Sequence, residues 1–343
     1  MKRILLLSTC IVLMMTSSLR AQDIHANDIV NTLKERIALS GYAQAGYTYN
    51  DASESDPNSF DIKRVIFMVK GKITDHWTCY FMYSFANSPK VLELYTEYHF
   101  LPEVNVRLGQ FKTMYTIENP LSPCFVELIN CYSQATSYLA GVDGSDPLYG
   151  SHSGRDIGLM VYGDLFKKLI SYNLAVMNGQ GINTKDKNNQ KNIVGNLMVH
   201  PWKWMSVGGS FILGEGCAIA TSSVNPDIAV GDNYTRNRWA IGAEIKTKPI
   251  DIRTEYLAGK DGNVKSNGYY AAASAHVLPK FDIVLSYDYF NKNKATDNKQ
   301  TNYVAGVQWW FYPKCRLQAQ YTYSNKHQGE DSNIIQAQVQ VRF

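Results

Sequence analysis

Residues 313–343 read PKCRLQAQYTYSNKHQGEDSNIIQAQVQVRF. Taken two residues at a time, Leu317, Ala319, Tyr321 and Tyr323 fall on one face, and Arg316, Gln318, Gln320 and Thr322 on the other. After a polar stretch the alternation resumes, with Ile335, Ala337, Val339, Val341 and Phe343 on one side and Gln336, Gln338, Gln340 and Arg342 opposite. A period of two marks a strand with one apolar and one wet side, whereas a helix would mix the two sets. The edge of a soluble sandwich and the wall of a transmembrane barrel both fit this stretch. The rest of the chain has to separate them.

The same period runs back to Leu39 and divides the chain into about sixteen strands, most of them roughly ten residues long, which suits tilted transmembrane strands. The connections carry more information. Every second one is short and commonly holds proline, as at Pro102, Pro201, Pro249, Pro279 and Pro313. The intervening ones, such as DASESDPNSF, KDGNVKSNG and NKNKATDNKQ, are longer and polar. A soluble sandwich has no reason to sort its loops by parity, but an outer-membrane barrel has tight periplasmic turns and larger external loops. Aromatics near strand ends, including Trp77, Trp202, Trp204 and Trp309, suit interfacial girdles. The expected fold is an all-β, transmembrane antiparallel barrel over residues 39–343. An even strand number puts both of its ends on the periplasmic side, with the last strand beside the segment GYAQAGYTYN at 41–50.

The N-terminal stretch MKRILLLSTCIVLMMTSSLRA has a basic start, an apolar run and small residues before Ala21, so residues 1–21 are expected to be a signal peptide. Residues 22–38 carry Ile29, Leu33 and Ile37 at helical spacing and predict a short helical segment. Without residues 1–21, 31 basic side chains face 30 acidic ones, and no basic cluster points to nucleic acid. No later segment supplies the ~18 consecutive apolar residues of a membrane helix. The chain can therefore span a bilayer only as a closed barrel, which leaves no backbone unpaired in lipid. The cysteines after residue 21 are odd in number and sparse, unlike a disulfide framework or zinc site. Cys124 and Cys131 share one loop, and pairing between them stays open.

One external connection departs from the rest. After VRLGQFK at 106–112 the chain runs about forty residues to Arg155, and structureless loops of that length are usually functional or disordered. This one clusters Phe125, Val126, Leu128, Ile129 and Tyr132, too apolar for disorder, so it is expected to fold inward and narrow the lumen at 114–154. Strand parity places Arg64, Lys70, Lys72, Arg107, Arg316 and Arg342 on the inner wall as basic lining, with Glu93 and Glu97 as acidic lining. Glu118, Glu127, Asp143 and Asp146 lie on the loop. A basic wall facing an acidic loop would orient polar solutes and favour anions along one side.

Catalytic readings find little support. No Walker loop, H-E-x-x-H, G-x-S-x-G or C-x-x-C occurs, and the seven histidines are scattered singly. Neither enzymatic activity, a metal nor a cofactor is expected.

The stretch FDIKRVIFMVKGKITDHWTCYFMYSFA at 60–86, together with VNVRLGQFKTMYTIENPLSP at 104–123, resembles the phosphate-selective porin O and P family. Arg64, Gly71, Trp77, Gly109, Gln110, Phe111, Lys112 and Glu118 are the matching positions. Met114 and Tyr115 depart from the family pattern, and its arginine ladder has no counterpart at specific positions, so the resemblance leaves a preference for phosphate open. The resemblance implies a sixteen-stranded, homotrimeric porin of the bacterial outer membrane through which small polar or anionic solutes diffuse. Its expected partners are those solutes, outer-membrane lipids and, through a terminal Phe343, the barrel assembly machinery. The alternative is a scaffolding barrel with a plugged lumen that anchors surface partners.

Overall fold

A computed structural model describes residues 34–343 apart from 55–56, 87 and 143–145. The expected signal peptide, most of the expected helical segment at 22–38, and Asp143 lie outside the described residues. Residues Leu39–Phe343 form one compact unit.

Its strands are β1 (Ile37–Asn50), β2 (Asn58–Lys72), β3 (Trp77–Ser84), β4 (Lys90–Leu101), β5 (Val104–Lys112) and β6 (Arg155–Leu165). There follow β7 (Ile170–Met177), β8 (Asn192–Trp202), β9 (Met205–Leu213), the short β10 (Glu215–Cys217), β11 (Asn233–Lys246) and β12 (Ile250–Asp261). The last are β13 (Val264–Leu278), β14 (Phe281–Asn293), β15 (Asn298–Tyr312), β16 (Cys315–Lys326) and β17 (Ser332–Arg342). Neighbours in the chain pair with one another, β9 pairs directly with β11, and β10 adds only a three-residue ribbon to β11. Antiparallel pairing of β17 with β1, from Tyr42↔Arg342 to Asn50↔Ile334, closes a barrel of sixteen strands.

The turns at the end of the barrel that holds the chain terminus of β17 span two to four residues. Three connections at the other end are long, at 113–154, 178–191 and 214–232, but the expected polar loop KDGNVKSNG is a two-residue turn. There β12 and β13 keep pairing up to Asp261↔Val264, and Gly262 takes a positive φ of 56° to turn the chain.

Burial follows the alternation. Leu317 and Tyr321 are exposed on the lipid face, whereas Arg316, Gln318, Gln320 and Thr322 are buried inside. Exposed Trp77, Trp202, Trp204 and Trp309 lie near the short turns, and Trp202 and Trp204 stack at 5.3 Å. Toward the other end, Tyr269, Tyr287, Tyr303 and Tyr323 form a chain of ring contacts across β13–β16. The inner glutamines join the strands at the seam: Gln44 Nε2 donates to Gln340 Oε1 at 2.8 Å and Gln338 Nε2 to Gln318 Oε1 at 2.9 Å. Cross-strand pairs of this kind are how a sheet fixes its register. Phe343 exchanges backbone hydrogen bonds with Gly41, and its ring lies where a side chain at Gly41 would stand. No disulfide joins the five described cysteines, Cys124 and Cys131 included.

Candidate functional site

Residues 113–142 and 146–154 cross the interior of the barrel. The Thr116 N–H donates to Ser210 Oγ on β9 at 2.9 Å, and Ile117 N–H to the Glu255 carboxylate on β12 at 2.9 and 3.1 Å. Ile129 N–H reaches Gln320 Oε1 on β16 at 3.0 Å, and Gln134 N–H reaches Asp288 Oδ2 on β14 at 2.9 Å. From the wall, Arg316 Nη2 donates to Val126 O at 2.7 Å, Gln318 Nε2 to Glu127 O at 2.9 Å and Gln340 Nε2 to Cys124 O at 3.2 Å. The alternating glutamines that mark β16 and β17 in the sequence therefore hold the loop as well as each other.

The apolar cluster that argued against disorder forms the loop's own core. Val126, Ala135 and Leu139 are fully buried against wall residues Phe111, Met160, Leu257 and Phe290. Within it, the short helix α1 (Gln134–Leu139) begins at Ser133, whose side chain accepts from Thr136 N–H. At its other end, Arg236 Nη2 and Arg238 Nε donate to Leu139 O at 3.1 and 3.3 Å, satisfying a carbonyl that a helix end leaves open.

The loop acids lie against the β11–β12 wall. Glu127 Oε1 is 2.6 Å from Arg253 Nη2, and Glu118 Oε1 is 3.8 Å from Arg253 Nε. Glu118 is fully buried and accepts from Ser133 N–H at 2.8 Å; burial pushes its carboxyl above the ordinary range against the pull of Arg253. Asp146 is also fully buried, 3.9 Å from Arg238, and burial together with Asp261 raises it to about 6. Glu127 shares a cavity with Arg316 of the expected basic wall, whereas Glu118 and Asp146 line none of the cavities around the loop.

Three cavities surround the loop. An outer one of about 660 Å³ is lined by Lys63, Arg64, Lys90, Arg155 and Lys292 against Asp61 and Asp288. A second of about 410 Å³, on the short-turn side of the loop, is lined by Arg107, Lys112, Arg155 and Arg342 against Glu93. Both are lined by Pro123 and Arg155, so they abut there. The third, about 880 Å³, balances Lys246, Lys248, Arg253 and Arg316 with Glu127, Glu244, Asp251 and Asp282.

Of the residues singled out by parity, Arg64, Arg107, Arg342 and Glu93 thus share the first two cavities, and Arg316 and Glu127 line the third. Arg107 is 3.1 Å from Glu97 and lies over the Tyr95 ring at 4.3 Å. Lys70 is exposed on β2 and lines none of the three, and Lys72 pairs with Asp75 at a short turn.

Arg155, common to the two cationic cavities and 2.6 Å from Glu93, was missed by alternation. At this end of β5 and β6 the run Gln110, Phe111, Lys112 and the pair Arg155, Asp156 are buried consecutively, because the loops cover both faces. The signal present in the sequence was Arg155 standing where the long loop rejoins the wall.

A sequence model of the family described as phosphate-selective porin O and P matches residues 37–123 and 228–343. A search of curated protein sequences finds no significant match. Among solved structures, an anion-selective porin from Comamonas acidovorans superposes with a TM-score of 0.68 at 14% identity, over 90% of this chain and 99% of that one. The trimer form of OmpT, an outer membrane protein of Vibrio cholerae, gives 0.64 at 12% identity, over 90% and 99%. The outer membrane channel DcaP of Acinetobacter baumannii gives 0.62 at 12%, over 90% and 97%.

Proposed function

We propose, from the premise that this chain belongs to the phosphate-selective porin O and P family and is an outer-membrane porin, that small anionic solutes cross it beside β1–β5. The observation that carries this reading is the pair of abutting cavities in which cations outnumber acids, five to two and four to one. Field focusing between low-dielectric walls raises the local concentration of anions there. The loop supplies the constriction and no bond is made or broken. Purified protein in planar bilayers should give stepwise conductance with a reversal potential of anion preference in a salt gradient; sealed bilayers under well-inserted protein would overturn it.

Two further roles belong to the same reading. Phe343, exposed at the barrel seam and paired with Gly41, serves as the signal read by the barrel assembly machinery. Its deletion should lower the yield of inserted barrel while leaving the conductance of inserted molecules unchanged, and normal insertion would count against it. A homotrimer is supported by the trimer form of the structurally similar Vibrio cholerae OmpT, and the mass of the detergent-solubilised protein after subtraction of detergent tests it.

A further inference from the structure

The two cationic cavities differ in chemistry as well as size. The outer one is rich in hydroxyl and amide groups, among them Ser133, Ser137, Ser151, Asn302 and Gln320. The inner one is lined by the thioethers of Met68, Met82 and Met114 and by the rings of Tyr80, Tyr95 and Phe125. Tyr80 and Tyr95 stack at 5.1 Å, presenting a continuous aromatic surface from β3 to β4. A path for strongly hydrated ions gains nothing from such a lining, since apolar walls strip water without replacing it.

The cations in this cavity are not equivalent. Arg107 is paired with Glu97, and Arg155 with Glu93. Lys112 is buried and donates to Asn119 O, Leu121 O and Tyr132 OH. Arg342 makes no ion pair among the described residues, its buried Nε has no hydrogen-bond partner among them, and its guanidinium lies over the Phe125 ring at 4.3 Å. A guanidinium over a ring can still offer its N–H groups to a carboxylate.

We propose that this inner cavity is a binding subsite for amphipathic anions: an aromatic carboxylate or sulfonate whose charged group meets Arg342 while its ring lies among Phe125, the methionines and the Tyr80–Tyr95 stack. The volume of about 410 Å³ falls in the range of small-molecule pockets. The inference rests on the anion passage proposed above and names the class of anion that lingers in it.

Equilibrium dialysis of the full-length, detergent-solubilised protein against benzoate tests it, with acetate and inorganic phosphate as probes of charge without a ring and empty micelles as the blank. Benzoate should be retained more strongly than either, and Arg342→Gln and Phe125→Leu should each weaken it about fivefold, the scale of a lost cation–π or charged contact. Phe125 is exposed, and leucine keeps its apolar bulk, so the folded barrel should persist, as the gel shift on heating will report. Arg342→Lys keeps the charge without the fork and should fall between wild type and Arg342→Gln. Equal retention of benzoate and acetate, or benzoate retention untouched by Phe125→Leu, would overturn the subsite. Because dialysis reads binding without current, sealed bilayers would remove the conduction reading while leaving this result to be judged by itself.

Discussion

The two sides of the loop that fills this barrel are built differently. Toward β11 and β12 it is fastened by charge: Arg253 stands 2.6 Å from Glu127 and 3.8 Å from Glu118, and Arg238 stands 3.9 Å from Asp146. Toward β1–β4 it meets an apolar cluster, with Cys124 of the loop packed among Tyr42, Ile66, Met82, Leu92 and Ile182. On that side Arg64 and Arg342 line open space, and Arg107 and Arg155 do so while paired with Glu97 and Glu93. Arginines therefore stand in two settings: beside the loop carboxylates they fasten the loop, and beside the cavities of the β1–β5 side they carry the anion attraction proposed above.

Removing an anchor should have the largest effect. Arg253→Met would leave the carboxylates of Glu127 and Glu118 buried without their cation, which costs on the order of 3–5 kcal/mol when one partner of a buried pair is lost. Denaturant unfolding in detergent should show that loss, and adding Glu127→Gln should recover part of it. Arg64→Gln on the passage side should cost less than about 1 kcal/mol by the same measurement. Equal losses from the two variants would erase the distinction between the walls.

Acid should separate the two sides by sign. His152 Nδ1 accepts from Ile182 N–H at 3.2 Å, tying the end of the loop to residues 178–191, while Nε2 donates to Tyr149 O at 2.6 Å. Burial holds this ring neutral and lowers its pKa to about 4 from the ordinary 6.5. A histidine lowered in the folded state contributes stability above its unfolded pKa, and that contribution is lost as pH falls from 6.5 through 4. The total is on the order of 3 kcal/mol. Asp146, raised to about 6, runs the other way, its contribution being greatest below 3.8 and lost as pH rises through 6. The thermal midpoint of wild type should fall relative to His152→Gln between pH 6.5 and 4, and parallel curves would show that His152 does not couple the loop to its neighbour.

How much of this was legible beforehand follows from the range of the interactions. Alternation is local, so β16, β17 and the pairing with β1 could be read from Leu317, Gln318 and their neighbours. The outer ends of the strands could not, since a polar strand pairing above the bilayer, as at Lys260↔Lys265, reads like a loop. The site was legible in part. Parity put Arg316 and Arg342 on one inner face, but it could not tell that Arg316 bonds Val126 O and lines the balanced cavity while Arg342 lines the inner cationic one. That difference depends on where a loop nearly two hundred residues earlier in the chain comes to rest, as the separation of 190 positions between Arg316 and Val126 makes plain.

The smallest effect expected is the most direct test of which side conducts. Lys90 and Lys292 line the outer cationic cavity, whereas Lys246 and Lys248 line the balanced cavity on the other side. None of the four is a loop anchor, so changing them to glutamine alters charge without releasing the plug. Screening limits each lysine to its neighbourhood, a Debye length of about 8–10 Å at ordinary ionic strength. Anions entering past Lys90 and Lys292 would therefore feel their loss, while the distant pair would leave them unaffected. The double change Lys90→Gln, Lys292→Gln should lower the anion-to-cation permeability ratio by about twofold to threefold, read as a shift of reversal potential in a chloride gradient. Lys246→Gln, Lys248→Gln should leave that potential where it was. If the second pair shifts it and the first does not, the solute crosses beside β11–β13 and the ion-paired wall is the conducting one.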